Sequence, residues 1–282
     1  MSEQHRISAV ILTFNEERNI ERCLKSLEGV ADEIIIIDSF STDNTESICQ
    51  GFGTRFVKRK WEGYSNAKNH GNDLATYDYI LSLDADESLS DELRQNILAE
   101  KANFTSEAYS FHRLTNYCGK WIHHCGWYPD TKVRMWKKGK GKWCGSIHEQ
   151  LILEKCSTKL LHGDIFHYSY YSLNEHFLKV DRYTDLMANE SFVNKKSVPI
   201  YKTFLSPIFK FLKGYFLQLG FLDGYYGFII CFIAAYSTRI KYVKIRELNT
   251  DTTRENRHKT KLEIVVPKIL SRQAQLFMTK AM

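Results

Sequence analysis

Hydrophobic and polar positions follow two alternating rhythms from residue 7 to residue 100. Ile7 to Thr13 is a β-branched, apolar run that reads as a strand and breaks at Phe14-Asn15-Glu16-Glu17. From Arg18 to Leu27 the apolar residues fall at Ile20, Cys23, Leu24 and Leu27, the spacing of an amphipathic helix. Ile34 to Ile37 is a continuous apolar run, the pattern of a strand buried on both faces, and it ends at Asp38. A helix from about Thr45 to Gly51, a short strand at Arg55 to Val57, a helix over Tyr64 to Ala75 and a strand over Tyr79 to Leu83 continue the series. Ser88 or Ser90 is placed to cap the helix that follows. Strands alternating with helices predict an α/β fold with a doubly wound, mostly parallel sheet.

That rhythm is lost between residues 104 and 168, which are rich in aromatics, histidine and loop formers. A long helix is expected over Leu173 to Asn194, with apolar residues at Phe177, Val180, Tyr183, Leu186 and Met187. The expected organisation is a catalytic domain over residues 1–170, with a donor half (1–100) and an acceptor half (101–170). A helical, membrane-associating region (171–246) and a linker with an amphipathic tail (247–282) follow.

Length and composition fit one large domain with an appendage: 282 residues, 43% of them hydrophobic. The net charge of +6 changes the picture only once it is placed. Nine Lys or Arg and one acid, Asp223, lie between Lys195 and Arg246, around the most apolar stretch of the chain. That favours a membrane surface over nucleic acid, and no nucleic-acid partner is expected. Gly214 to Thr238 holds no other charge, but a charge in its middle would cost roughly 2.5–3.5 kcal/mol in a bilayer. The uninterrupted run Tyr225 to Tyr236 would cover only about 18 Å of a ~30 Å hydrocarbon core. An interfacial or re-entrant pair of helices, broken near Leu222-Asp223-Gly224, is predicted, and basic flanks on both sides keep both ends cytoplasmic. No apolar signal core precedes Ile7, and seven scattered cysteines, an odd number, read as reduced thiols.

Candidate chemistry gathers at the expected strand ends. Asn15 and Glu16 follow the first strand, Asp38 the second, and Asp84 and Asp86 the fourth, the edge where open α/β sheets hold ligands. Strand alternation would send Asp84 and Asp86 to the same side, where a divalent cation would relieve their repulsion; a solvated acidic turn ahead of a helix is the plainer alternative. A carboxylate at Asp38 suits a base or ribose, yet no glycine-rich phosphate loop accompanies it. The phosphates then need a metal or Lys68. Cys118, His123, His124 and Cys125 do not have the spacing of a tetrahedral zinc site.

Four stretches carry a resemblance: Val10 to Glu17 (VILTFNEE), Ile36 to Thr45 (IIDSFSTDNT), Asn66 to Gly71 (NAKNHG) and Leu83 to Glu87 (LDADE). In order and spacing they resemble the successive motifs of family 2 glycosyltransferases of GT-A fold. Gly126-Trp127-Tyr128-Pro129-Asp130, Arg134-Met135-Trp136, His148-Glu149 and Gly220 to Gly224 (GFLDG) are similar to the bacterial branch that includes lipopolysaccharide-core glucosyltransferases. The resemblance implies a nucleotide-sugar donor, most often UDP-linked, with Thr13, Asn15, Glu16, Asp38 and Lys68 around the nucleoside. It puts Asp84 near ribose or sugar and Asp86 on Mn²⁺ or Mg²⁺.

Glycosyl transfer also needs a base for the acceptor hydroxyl, and Glu149 stands where the family carries its acidic base, which implies an inverting, single-displacement reaction. It also reads as an ordinary acid opening the strand Gln150 to Leu153. Trp121, Trp127, Tyr128 and Trp136 offer flat faces to a sugar, Arg134 could meet a phosphate, and Asp130 and His148 complete the acceptor candidates. His162 and His167 read as pocket or core residues. The function expected is a metal-dependent hexosyltransferase at the cytoplasmic face of a bacterial inner membrane, peripheral or monotopic, acting on a membrane-presented glycan such as lipopolysaccharide core. The alternatives are a polyprenyl-phosphate glycosyltransferase and a non-catalytic, membrane-bound nucleotide-sugar-binding protein.

Overall fold

The structure is a computed structural model that describes residues 5–145, 149–194 and 197–251. The chain forms two compact units, one of residues 5–113 with 130–168 and one of residues 114–129 with 169–251. Residues 114–129, read from sequence with the acceptor half, therefore fold with the helical unit.

The first unit opens with β1 (Ile7–Thr13), α1 (Ile20–Leu27), β2 (Glu33–Asp38), α2 (Thr45–Gly51), β3 (Arg55–Lys58), α3 (Tyr64–Leu74) and β4 (Tyr79–Asp84). It continues with β5 (Glu87–Leu89), α4 (Asp91–Ala102) and β6 (Ala108–Tyr117), which runs into the second unit. After β7 (Lys120–Ile122) come β8 (Asp130–Lys137), β9 (Gly141–Cys144), β10 (Gln150–Leu153) and β11 (Thr158–Tyr170). The sheet order is β3-β2-β1-β4-β8-β6-β11-β5, with β9 and β10 as a separate hairpin. The first four strands pair in parallel, and β8 joins β4 antiparallel.

Both faces of the parallel part are covered, which explains its unbroken apolar runs. Ile7, Ala9 and Ile11 of β1 pack with Ile20, Leu24 and Leu27 of α1 and Leu93 and Ile97 of α4. Val10 points to the opposite face, beside Ile35, Ile37 and Ala67 of α3. Register fixes the site: Thr13 lies opposite Asp38, and Leu12 opposite Asp84, so the C-terminal ends of β1, β2 and β4 are level. Ser90 caps α4, accepting from the Leu93 N–H at 3.2 Å.

The second unit holds α5 (Leu173–Val193), α6 (Ile200–Leu212) and α7 (Gly224–Asp251), packed over Tyr117, Ile122, Cys125, Ile230 and Cys231. Leu219 and Gly224 take positive φ (54° and 63°), and the chain breaks between α6 and α7 where the sequence predicts it. The helix is longer than the run Tyr225 to Tyr236 predicts. Asp223 sits at the start of α7 rather than in the middle of an apolar helix, and α7 runs on for 28 residues. Gly220–Asn249 is, among the described residues, long and apolar enough to cross a membrane by length and composition alone. Asp223 is buried because its carboxylate accepts from the His124 N–H at 2.8 Å and meets His124 Nδ1 at 3.0 Å, while Lys120 Nζ donates to its carbonyl at 2.7 Å. All seven cysteines are free thiols.

Close approach of α3 to the sheet depends on Gly71, where an added Cβ would lie 2.3 Å from Val10 Cγ1 and 3.2 Å from Ile37 Cγ1. Helix propensity favours alanine there by about 1 kcal/mol, but overpacking costs about 1–3 kcal/mol. Gly71→Ala is expected to lower the urea unfolding midpoint; a raised midpoint would show that the helix can shift outward freely.

Candidate active site

At the level ends of β1 and β2, the buried Asp38 carboxylate is already occupied. Its Oδ1 accepts from the Thr13 hydroxyl at 2.9 Å and from the Ser41 hydroxyl, and its Oδ2 from the Ser41 N–H at 2.8 Å. Asn15, in the left-handed region at φ 51°, accepts from the Thr42 N–H at 2.7 Å and donates its own N–H to Ser41 Oγ at 2.8 Å. The structure thus uses Thr13, Asn15 and Asp38 to shape the two βα loops. Three donors occupy Asp38, two on Oδ1 and one on Oδ2, which leaves Oδ2 a further lone pair.

The end of β4 carries a chain of ion pairs built on the buried Lys68, Arg134 and Glu87. Lys68 of α3 is 2% exposed and lies 2.9 Å from Asp84 Oδ1 and 3.6 Å from Glu149 Oε1. Asp84 Oδ2 accepts from Arg134 Nη2 at 2.8 Å, and the same nitrogen donates to Glu87 Oε1 at 2.7 Å. Arg113 extends the chain, 3.3 Å from Glu87 and 2.7 Å from Asp130. Burial alone would raise the Asp84 carboxyl, but the Arg134 guanidinium and Lys68 ammonium hold it well below the usual carboxylate range. Burial works against charge on Arg134, and Asp84 and Glu87 outweigh it and raise it further.

α3 also positions the candidate base. Asn69 donates from Nδ2 to the Trp143 carbonyl at 2.8 Å and accepts the Trp143 N–H at 2.9 Å, and Ser65 donates to the Gly145 carbonyl at 2.6 Å. The strand that leads to Glu149 is thereby fastened to the helix that carries Lys68.

β4 stops at Asp84, and Ala85-Asp86 is a turn, so strand alternation does not bring Asp84 and Asp86 together. Asp84 faces Lys68 and Arg134, whereas Asp86 Oδ2 lies 3.3 Å from His167 Nε2. Both acids still act on Glu16, whose carboxyl is pushed up to about 8 by burial first and by Asp86 next, with Asp43 and Asp84 adding to it. An acid-rich corner of this kind suits a cation. Asp86 supplies a hard oxygen donor of the kind Mn²⁺ and Mg²⁺ prefer, beside His167, whose Nδ1 is buried without a hydrogen-bond partner; among the described residues no group of three or more acidic, His or Cys side chains is placed to hold a metal ion.

Sequence reasoning missed Glu87, Arg113 and the pairing of His167 with Asp86. Glu87 stands inside the quoted acidic motif, but its burial rests on strands far away in sequence. Arg134, expected to meet an acceptor phosphate, is buried and shared between Asp84 and Glu87 because β8 pairs with β4. Asp130 pairs with Arg113 and Lys132. Trp127 and Tyr128 belong to the second unit, where Trp127 stacks on Tyr170 at 5.8 Å and Tyr128 meets His123 edge-on at 5.6 Å. Trp136 is buried in the first unit's core. His148 lies outside the described residues.

A parallel sheet with carboxylates and a buried lysine at its strand ends offers a ligand site at that edge. The chain belongs to glycosyl transferase family 2, whose pattern matches residues 8–148, half of its length, and its fold is of GT-A type. It is 28% identical to an uncharacterized glycosyltransferase of Rickettsia typhi, over 86% of this chain and 88% of that one. It is also 28% identical to the lipopolysaccharide core biosynthesis glycosyltransferase LpsC of Rhizobium meliloti, over 81% of this chain and 90% of the relative. Among solved structures, Staphylococcus aureus TarS in complex with UDP-GlcNAc covers 90% of this chain and 93% of its own, at 13% identity and a TM-score of 0.45.

Glu16 gives the site a pH signature. Its carboxyl titrates near 8 in the folded chain and at about 4.5 in the unfolded one, so the folded state binds the extra proton and stability falls as pH rises between those values. In the presence of a chelator, Glu16→Gln is expected to melt higher than the parent at pH 8 and at the same temperature at pH 4. Equal melting at both would mean that Glu16 is not crowded by Asp86. Arg134→Met, which leaves the buried Glu87 with Arg113 as its remaining cation and the partly exposed Asp84 with Lys68, is expected to cost about 1–3 kcal/mol in denaturant unfolding.

Proposed function

We propose that the protein is a metal-dependent, inverting hexosyltransferase that moves a sugar from a UDP-linked donor to a membrane-presented glycan, lipopolysaccharide core being the acceptor class that the LpsC similarity supports. One observation carries the reading: Lys68 lies 2.9 Å from Asp84 and 3.6 Å from Glu149, so the D-x-D strand end and the candidate base meet on one buried ammonium.

In this reading Thr13, Asn15, Glu16, Asp38 and Lys68 form the nucleoside side of the donor site and Asp84 the sugar side. Asp86, with His167, would hold Mn²⁺ or Mg²⁺. When bound, the ion neutralises charge that develops on the departing diphosphate. Glu149 takes the proton from the acceptor hydroxyl as its oxygen bonds to the anomeric carbon on the face opposite the diphosphate. The bond from that carbon to the diphosphate oxygen breaks, and the configuration inverts. Asp130, Arg134 and His148 are the acceptor-side residues of the proposal; Arg134 acts there through Asp84.

The exposed apolar residues of α6, with the basic residues of α6 and α7, fit attachment at the inner face of the cytoplasmic membrane. A membrane-held acceptor accounts for such an attachment on a nucleotide-sugar enzyme.

Nucleoside diphosphate release from a panel of nucleotide sugars, with Mn²⁺ or with a chelator, tests the proposal. Asp86→Ala is expected to abolish metal-dependent release. The hydrogen bond from the Tyr168 N–H to the Asp86 carbonyl, at 2.9 Å, survives the substitution. Glu149→Gln is expected to lower transfer about 10²–10⁴-fold while leaving donor binding intact. Absence of metal-dependent nucleotide binding and of release from every donor, with membrane glycolipid extract present, would overturn the reading.

A further inference from the structure

Within the second unit, α5, α6 and α7 border an open surface cavity of about 380 Å³. Lys202 of α6, Lys241 of α7 and the hydroxyl residues Ser191 and Ser197 line it, and Met187, Val198 and Ile245 form its apolar wall. Glu190 is the acid of that lining, so two ammonium groups face one carboxylate.

The lysines of this region divide sharply by partner. Lys244 is held by α5, with its Nζ 2.8 Å from Asp181 Oδ1, 2.7 Å from Asp185 Oδ1 and 3.0 Å from Thr184 Oγ1. Lys202 and Lys241 have no acidic partner among the described residues, and Lys241 lies only over the ring of its neighbour Tyr242, at 4.6 Å. The frame around them is fixed, because Arg246 Nη1 donates to the Val198 carbonyl at 2.9 Å and ties the start of α6 to α7. An open cavity with two ammoniums that have no acidic partner, two hydroxyls and an apolar wall suits an anion that carries a hydrocarbon tail.

The helix that supplies Lys202 points to the source of that anion. Ile200, Tyr201, Phe204, Leu205, Ile208 and Phe209 of α6 are each more than half exposed, a continuous apolar face that water does not favour. A bilayer covers such a face, and the cavity meets the same helix at its first turn.

We propose that this cavity is a binding site for the phosphate headgroup of an anionic phospholipid, with the acyl chains running along the exposed face of α6. The proposal rests on the membrane attachment stated above and is independent of the catalytic assignment. Lys202 and Lys241 hold the phosphate, Ser191 and Ser197 donate to its oxygens, and Glu190 sets an upper limit on affinity by repulsion.

The test uses the full chain in neutral detergent, titrated calorimetrically with dihexanoylphosphatidylglycerol below its micelle concentration. No charged surface is present under these conditions, so only a site can give saturable binding. Lys202→Gln and Lys241→Gln are each expected to weaken association about tenfold, and Glu190→Gln to strengthen it. Binding of dihexanoylphosphatidylcholine as tight as that of the glycerol lipid would overturn the proposal, as would lysine variants that bind like the parent. Equal affinity for inorganic phosphate would assign the cavity to a free anion instead, and a stable dimer that excludes lipid would assign the α6 face to a second copy of the chain. Nucleoside diphosphate release by the same variants is expected to match the parent, so a failure of the transferase reading and a failure of this one register in separate assays.

Discussion

The buried ammonium of Lys68 is the constraint on which the strand ends of the first unit depend. A cation at 2% exposure is tolerated only against carboxylates, and Asp84 and Glu149 answer it from two distant parts of the chain. Asp84 in turn neutralises Arg134, whose guanidinium also compensates Glu87. Ion chains of this kind are poor stabilisers, because desolvation offsets most of the Coulomb gain. What they confer is position: α3, β4, β8 and Glu149 are brought to one point by charges that are paired there.

Much of the site was legible in the chain because parallel sheets turn register into proximity. Once Ile7 to Thr13, Ile34 to Ile37 and Tyr79 to Leu83 are read as neighbouring buried strands, Thr13, Asp38 and Asp84 must end level, and the pairing of Thr13 with Asp38 and of Leu12 with Asp84 follows. The partners of those carboxylates were not legible. Arg134 reaches Asp84 through the antiparallel pairing of β8 with β4, a contact 50 residues apart with no local signature. His167 reaches Asp86 because β11 pairs with β5, which places His167 opposite Glu87. Periodicity describes which face a residue takes, and it is silent on which distant strand supplies the counter-ion.

The helical unit shows a different limit. Asp223 interrupts an otherwise apolar stretch, and its cost was reckoned as though it lay in mid-helix. In the fold it precedes α7, where a carboxylate suits the positive end of the helix and accepts hydrogen bonds from the loop at His123 and His124. The helix beyond it continues through Arg239, Lys241, Lys244 and Arg246, residues that end an apolar run by count without ending a helix. Lys244 is neutralised by acids on α5, so its charge reads from sequence as surface and in the fold as packing.

The two ends of the carboxylate cluster have opposite electrostatic fates, and that difference bears on where a cation would settle. Asp84 is compensated by Lys68 and Arg134 and stays ionised at low pH, whereas Glu16 is pushed toward its neutral form by burial and by Asp86. A divalent ion gains little beside a carboxylate whose charge the protein has already balanced. It gains most beside Asp86, where its arrival would also relieve Glu16. Neighbouring acids of one motif thus differ in surroundings: Asp84 belongs with the protein's own cations and orders the site, whereas Asp86, the proposed metal ligand, lies beside His167 and crowds Glu16.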